Sequence, residues 1–221
     1  MPAAVYCVLM EANSCDCTRD PSTDTATDGG HARFLSDGGV MHADLPGDLQ
    51  AALGTVVGDP SVETLAKWVA EVRDRLGGSL DVSDLCHADA ETPHRGHVDG
   101  ETYHFQCFYD AVALSGLVDE QVDIRTESPD GAVVEATAEG VETLSVTPED
   151  AVFSFGVADD PAAPTDDAVD VTDVYEAICP YVKAFPDAAA YREWADTVPA
   201  ATVAAPLGGA TELAAALVAE D

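Results

Sequence analysis

The stretch Tyr103-His-Phe-Gln-Cys-Phe-Tyr-Asp-Ala-Val-Ala-Leu114 contains the change from strand to helix around which the chain is organised. Tyr103 and Phe105 alternate with polar residues as in a strand, and the last four residues are typical of an apolar helix. A helix that begins at about Cys107 places Asp110 on the same face, so that a thiol and a carboxyl can serve one ligand. A thiol in a first helical turn also has a lowered pKa. The residue types alone favour a buried cysteine beside an acid that simply stabilises the helix start.

The composition predicts an acidic surface over an apolar core. The 221 residues include 42 acidic and 9 basic side chains, for a formal net charge of −33, and 47% of all residues are hydrophobic. Such an apolar fraction is typical of a folded chain rather than of a disordered acidic segment. Molar salt screens the repulsion between acidic groups, and their charge then preserves solubility. We interpret the charge as an adaptation of the host to high salt.

The same composition argues against several classes of partner and compartment. No basic patch is available to neutralise phosphates, so we expect no nucleic acid and no anionic membrane as partner. The sequence has no apolar run long enough for a transmembrane helix, and its first residues lack the basic region of a secretory signal. We therefore expect a cytoplasmic protein whose six cysteines are mostly reduced.

The residue patterns divide the chain into three regions. Residues 1–40 have no regular period and are predicted to form a poorly ordered arm. Residues 41–88 are predicted to form a small helical region like the remnant of a winged helix, and residues 89–221 the main domain. In the helical region we expect one helix over 45–57, a second that Ser61 caps, and a short third helix over 79–85.

The main domain is predicted to be α+β, with an antiparallel β-meander as its core and helices around it. The meander consists of the segments 122–126, 132–137, 142–146 and 151–157. A helix that starts at Asp170 or Thr172 is expected to carry Cys179 and to be disturbed by Pro180. A helix with Trp194, a short strand over 201–205 and a helix over 211–218 complete the prediction.

Two further groups of cysteines and histidines are candidate metal ligands, because thiolate and imidazole are the usual ligands of zinc. The spacing of the first group fits no standard zinc module, and we favour an incidental cluster there. In the second group we favour loop histidines that make ordinary hydrogen bonds. The groups are Cys7, Cys15, Cys17 and His31 in the arm, and Cys86, His87, His94 and His97 before the strand of Phe105.

Together these segments resemble the organomercurial (alkylmercury) lyase family. The resemblance covers about residues 90–205, whereas the earlier residues match poorly. Its most specific feature is a cysteine three residues before an aspartate, followed by a second cysteine at a helix after an antiparallel sheet. The matching segments are Thr92-Pro-His94, Val98-Asp-Gly100, Tyr103, Cys107-Phe-Tyr-Asp110, Glu127-Ser-Pro129, Gly131, Gly140-Val141, Pro148 to Phe155, Tyr175-Glu-Ala-Ile-Cys179, Tyr181-Val182, Phe185 and the helix of Trp194.

The resemblance implies a lyase that cleaves the C–Hg bond, without an organic cofactor, and whose catalytic residues are Cys107, Asp110 and Cys179. Mercury(II) is soft and prefers thiolates, so the two cysteines would hold mercury as substrate and product. Asp110 would take a thiol proton and pass it to the departing carbon. The products would be a hydrocarbon and Hg(II), which would pass to a mercuric reductase or to small thiols.

The alternative is a protein of the same fold that sequesters a soft metal such as Hg²⁺ or Cu⁺ without catalysis. Asp110 discriminates between the two functions, because capture needs only two thiolates whereas protonolysis also needs an acid. The presence of Asp110 favours the enzyme.

Overall fold

The fold is α+β, as predicted, with two antiparallel sheets and helices packed against them. The computed structural model describes residues 33–35, 39–76, 78, 80–161 and 171–219, with the side chains of 75, 76 and 171–174 excepted. Most of the predicted arm, including Cys7, Cys15, Cys17 and His31, lies outside these ranges. The predicted boundaries of the three regions stay a prediction.

The predicted elements occur in the predicted order, but two short strands, over Arg95–Val98 and Ala184–Phe185, were not predicted. Three 3₁₀ helices also occur, over Val82–Asp84, Cys179–Tyr181 and Leu207–Gly209. The α-helices are α1 (Gly47–Val57), α2 (Leu65–Leu76), α3 (Tyr109–Ser115), α4 (Val171–Ile178), α5 (Ala188–Ala195) and α6 (Ala210–Val218). The strands are β1 (Arg95–Val98), β2 (Glu101–His104), β3 (Val122–Glu127), β4 (Val133–Glu139), β5 (Thr143–Thr147), β6 (Val152–Ala158), β7 (Ala184–Phe185) and β8 (Ala200–Pro206).

The strands form a five-stranded sheet in the order β2-β1-β3-β4-β5 and a three-stranded sheet in the order β7-β6-β8. The predicted meander is present in β3, β4 and β5, which pair antiparallel in sequence order. The prediction that β6 continues this meander is wrong, because β6 lies between β7 and β8 in the second sheet. Residues 152–157 of β6 are all buried, as expected for a strand covered on both faces.

The predicted cap of α2 is also wrong. Ser61 donates its main-chain N–H to the Asp59 carboxylate at 2.9 Å, so that this segment forms a turn instead of starting a helix. Thr64 caps α2, since its Oγ1 accepts the N–H of Lys67 at 3.2 Å. The third predicted helix is only the 3₁₀ turn over Val82–Asp84.

A single buried cluster joins α1, α2, α3 and α6 to both sheets. Apolar side chains such as Leu53, Leu65, Phe105 and Leu213 are buried in it. The longest helix in the described ranges, α2, has 12 residues, and none of the described helices could cross a membrane.

β6, the middle strand of the three-stranded sheet, is hydrogen-bonded to the segment that follows Cys179. The Ser154 hydroxyl donates to the carbonyl of Tyr181 at 2.8 Å and accepts the N–H of Lys183 at 3.1 Å. The main-chain N–H of Ser154 donates to the Lys183 carbonyl at 2.8 Å. These bonds hold the 3₁₀ helix that begins at Cys179 against the second sheet.

Replacing Gly156 of β6 with alanine should lower the free energy of unfolding by about 1–3 kcal/mol. The added Cβ would lie 2.7 Å from Thr202 Cγ2 and 2.9 Å from the main-chain oxygen of Ala201 on β8. Urea unfolding followed by circular dichroism measures the effect. Gly208→Ala is the matched control, since no atom lies within 4 Å of its added Cβ. Equal stability of the two variants would contradict this prediction.

Candidate active site

Cys107 and Asp110 lie in contact at the start of α3. The Cys107 thiol donates a hydrogen bond to Asp110 Oδ2 at 3.1 Å. The helix begins at Tyr109 rather than at Cys107 as predicted, because strand-like pairing continues through Gln106, whose N–H donates to the Cys86 carbonyl at 2.9 Å. The following turn still brings the thiol and the carboxyl together.

The later helix start changes the expected acidity of the Cys107 thiol. The side chain is only 3% exposed and precedes the first turn of α3. A hydrogen bond with Cys179 lowers the pKa of the Cys107 thiol, but burial and the Asp110 carboxylate outweigh it, so that the pKa is raised overall. The predicted lowering of this pKa is therefore wrong, and the protonated thiol is favoured before a ligand binds.

Asp110 is placed to exchange a proton with this thiol. Burial raises the pKa of the Asp110 carboxyl, and this effect exceeds that of the hydrogen bonds from the Cys107 thiol and the Cys86 main chain. The N–H of Cys86 donates to Asp110 Oδ1 at 3.3 Å, while Oδ2 faces Cys107. A carboxyl with a raised pKa holds a proton at higher pH than an exposed aspartate does.

Cys179 completes the predicted trio. Because Pro180 cannot continue an α-helix, α4 ends at Ile178 and Cys179 begins a 3₁₀ turn. It lines one cavity with Cys107 and Asp110 and a second with Cys86. Interaction with the Cys107 thiol, then with the Cys86 thiol, and burial raise the pKa of the Cys179 thiol. The three candidate residues therefore lie together.

A third thiol, that of Cys86, also lies at this site. The main chain of 86–88 pairs with that of 104–106, where the Ala88 N–H donates to the His104 carbonyl at 2.8 Å. This pairing sets Cys86 beside Asp110 and Cys179. Sequence reasoning considered Cys86 only as a zinc ligand. A cysteine in a segment that can pair with the strand of Phe105 is the sequence signal that could have identified it.

Two cavities adjoin at these thiols. The inner cavity has a volume of about 50 Å³, and its walls are mainly apolar except at Cys107, Asp110 and Cys179. The outer groove has a volume of about 510 Å³ and is open to solvent. Cys86 lines only the groove, Cys107 only the inner cavity, and Cys179 and Tyr175 line both. Burial, followed by the neighbouring acidic groups, raises the pKa of the Tyr175 phenol.

The nearby histidines make ordinary hydrogen bonds, as predicted. His94 is paired with the Thr126 hydroxyl at 2.6 Å, and burial lowers the pKa of its imidazole to about 4. His97 contacts the Thr102 hydroxyl at 3.0 Å, and His87 contacts a main-chain carbonyl at 2.8 Å. Among the described residues, no group of three or more His, Cys, Asp or Glu side chains is arranged to hold a metal ion.

The family of proteins described as alkylmercury lyase matches residues 88–219, which is more than half of the chain. The chain belongs to the alkylmercury lyase family. The resemblance predicted from the sequence is therefore confirmed, and the matched range contains Cys107, Asp110 and Cys179 but not Cys86. A crystal structure of the mercury-bound form of MerB2 is similar to this family member at 16% identity, with a TM-score of 0.45, over 78% of this chain and 91% of its own. Among curated protein sequences, none matches the chain.

Proposed function

We propose that this protein is an organomercurial lyase that cleaves the C–Hg bond by protonolysis and yields a hydrocarbon and Hg(II). The observation that carries the proposal is the hydrogen bond from the Cys107 thiol to Asp110, at a cavity that Cys179 also lines. Two soft ligands and one acid are thus present at one cavity, as this reaction requires. Membership of the alkylmercury lyase family supports the same chemistry.

In the first step, an organomercury cation binds to the Cys107 sulfur. The thiol proton passes along the 3.1 Å hydrogen bond to the Asp110 carboxylate as the Hg–S bond forms. Since burial raises the pKa of Asp110, the carboxyl retains this proton beside the bound metal. The organic group occupies the mainly apolar inner cavity.

In the second step, the Cys179 thiol loses its proton to solvent and forms a second Hg–S bond. Electron donation from two sulfurs weakens the C–Hg bond, and Asp110 transfers its proton to the carbon as that bond breaks. The C–Hg electron pair forms the new C–H bond, so no oxidation or reduction occurs. Of the two thiol protons, one leaves in the hydrocarbon and the other in solvent, while Hg(II) stays between Cys107 and Cys179.

The product must then leave two thiolates that bind it tightly. We propose small thiols or a mercuric reductase as acceptors, in the cytoplasm, where cysteines stay reduced. Within the described ranges, Cys86, Cys107 and Cys179 form no disulfide and are available to bind mercury. The inner cavity, of about 50 Å³, suits a small alkyl group, and methylmercury is therefore the first substrate to test.

The reduced protein should release methane and inorganic mercury in equal amounts from methylmercury in high salt with excess thiol. Methane is measured by gas chromatography and inorganic mercury by atomic absorption. The control is the same mixture without protein, because free thiols alone bind methylmercury but supply no positioned acid. Stoichiometric binding of methylmercury without methane would instead support the sequestration protein.

A further inference from the structure

We propose that Cys86 is an exit thiol, which takes Hg(II) from Cys107 while Cys179 keeps hold of it, so that the metal reaches the outer groove. The proposal rests on the proposed function for the origin of the mercury. It adds a third cysteine to the path of the product, one that lies outside the residues matched by the family.

The three thiols lie in sequence from the interior to the groove. Cys107 is 3% exposed and lines only the inner cavity, whereas Cys86 is half-buried and lines only the groove. Cys179 lines both, so it shares one cavity with Cys107 and the other with Cys86. A metal that stays bound to Cys179 can therefore exchange its second ligand without being set free.

The exchange needs one bond to form and one to break. The Cys86 sulfur binds mercury as its thiol proton leaves, the bond from mercury to Cys107 breaks, and the Cys107 sulfur takes up a proton. The metal remains Hg(II) with two thiolates, the ligand type that it prefers. A pair of thiols is sufficient for each stage.

Asp110 lies between the two cysteines that exchange the metal. After protonolysis it is again a carboxylate, with Oδ2 at 3.1 Å from Cys107 Sγ and Oδ1 at 3.3 Å from the Cys86 nitrogen. As a carboxylate it can accept the proton that the Cys86 thiol loses and pass it to Cys107 as mercury departs. The contact with Cys86 uses the main-chain N–H, so replacing the Cys86 side chain keeps this support of Asp110 and removes only the thiol.

The test uses protein loaded with one equivalent of inorganic Hg(II), in a background with Cys7, Cys15 and Cys17 replaced by serine. We expect Cys86→Ser to slow the transfer of mercury to excess glutathione by about tenfold or more, a range typical of changes around a metal. Rapid separation of the protein from glutathione, followed by atomic absorption of mercury in each fraction, measures the rate. Cys86→Ala should behave as Cys86→Ser does, and the background alone is the matched control for cysteine-to-serine exchange.

A second measurement tests whether mercury is bound at Cys86 in the loaded protein. In the loaded background protein, a small alkylating reagent should label Cys86 more slowly than in the mercury-free protein, because mercury shared between the two pairs occupies Cys86 for part of the time. Mass spectrometry of the peptides gives the distribution. Equal labelling of Cys86 with and without mercury, together with equal transfer rates for Cys86→Ser and its background, would overturn the proposal.

These measurements separate the exit thiol from the lyase activity. Because Hg(II) is supplied directly, slow transfer in Cys86→Ser supports the exit thiol even if no methane forms, and then only the proposed function fails. Methane release, together with equal transfer rates for Cys86→Ser and its background, would lead to the opposite conclusion. It keeps the lyase and removes Cys86 from the path of the product.

Discussion

Asp110→Asn should lower the rate of methane release from methylmercury by a factor of about 100 to 10,000, the usual contribution of a general acid. Asparagine retains the size of the side chain but cannot take the Cys107 proton and deliver it to carbon. The thiols of Cys107 and Cys179 remain, so the variant should still bind mercury. Methane formation is measured in a single turnover, with protein in excess over methylmercury.

The variant also has a signature that a purely structural role would not produce. The Asp110 carboxylate raises the pKa of the Cys107 thiol by its charge and by accepting its hydrogen bond. Removing the charge should therefore lower that pKa, which is measured by the ultraviolet absorbance of the thiolate as pH rises. Asp123→Asn, at an exposed carboxyl of β3, is the matched control. Wild-type methane release by Asp110→Asn would remove this carboxyl from the mechanism.

Cys179→Ser should reduce methane release to less than about one-thousandth of the wild-type rate, because residues that act as a unit lose most of their effect together. Serine offers a hard oxygen that does not replace a thiolate on mercury. With Cys7, Cys15, Cys17 and Cys86 also replaced by serine, Cys107 should still form a one-to-one adduct with methylmercury, and intact-protein mass spectrometry detects it. The C–Hg bond in that adduct lacks the second sulfur that weakens it.

The double variant Cys107→Ser/Cys179→Ser tests whether the effects of the two substitutions are non-additive. In the same background it should lose the adduct but show little further loss of methane release beyond either single variant. Independent contributions of the two cysteines would instead multiply in the double variant. Rapid methane release by Cys179→Ser would show that a single thiolate is sufficient.

Much of the sheet could be predicted because its strands are half-exposed. β3 alternates buried and less buried residues, which directly reflects the two faces of a sheet. The turns around Gly131 and Gly140 are likewise marked in the sequence, and both residues have positive φ. The sheet to which β6 belongs was predicted wrongly, because a strand covered on both faces has no alternation that shows its partners.

At the site, too, contacts between residues close in sequence could be predicted, whereas contacts between distant segments could not. The contact of Cys107 with Asp110 follows from their spacing, and the structure has it. The start of α3 and the acidity of the thiol could not be predicted, because both depend on the pairing of 86–88 with 104–106 and on burial. The position of Cys86 has the same origin, since no local pattern relates it to Cys179.

The two cysteines that would hold the product are 72 positions apart in the sequence (179 − 107 = 72). A mercury ion between them would be a temporary cross-link, comparable to a disulfide over the same span. By the chain-entropy description, such a closure restricts the unfolded chain and stabilises the native state by about 4 kcal/mol. The product complex would then resist unfolding more than the free protein, and each release of mercury would return the chain to its less stable form.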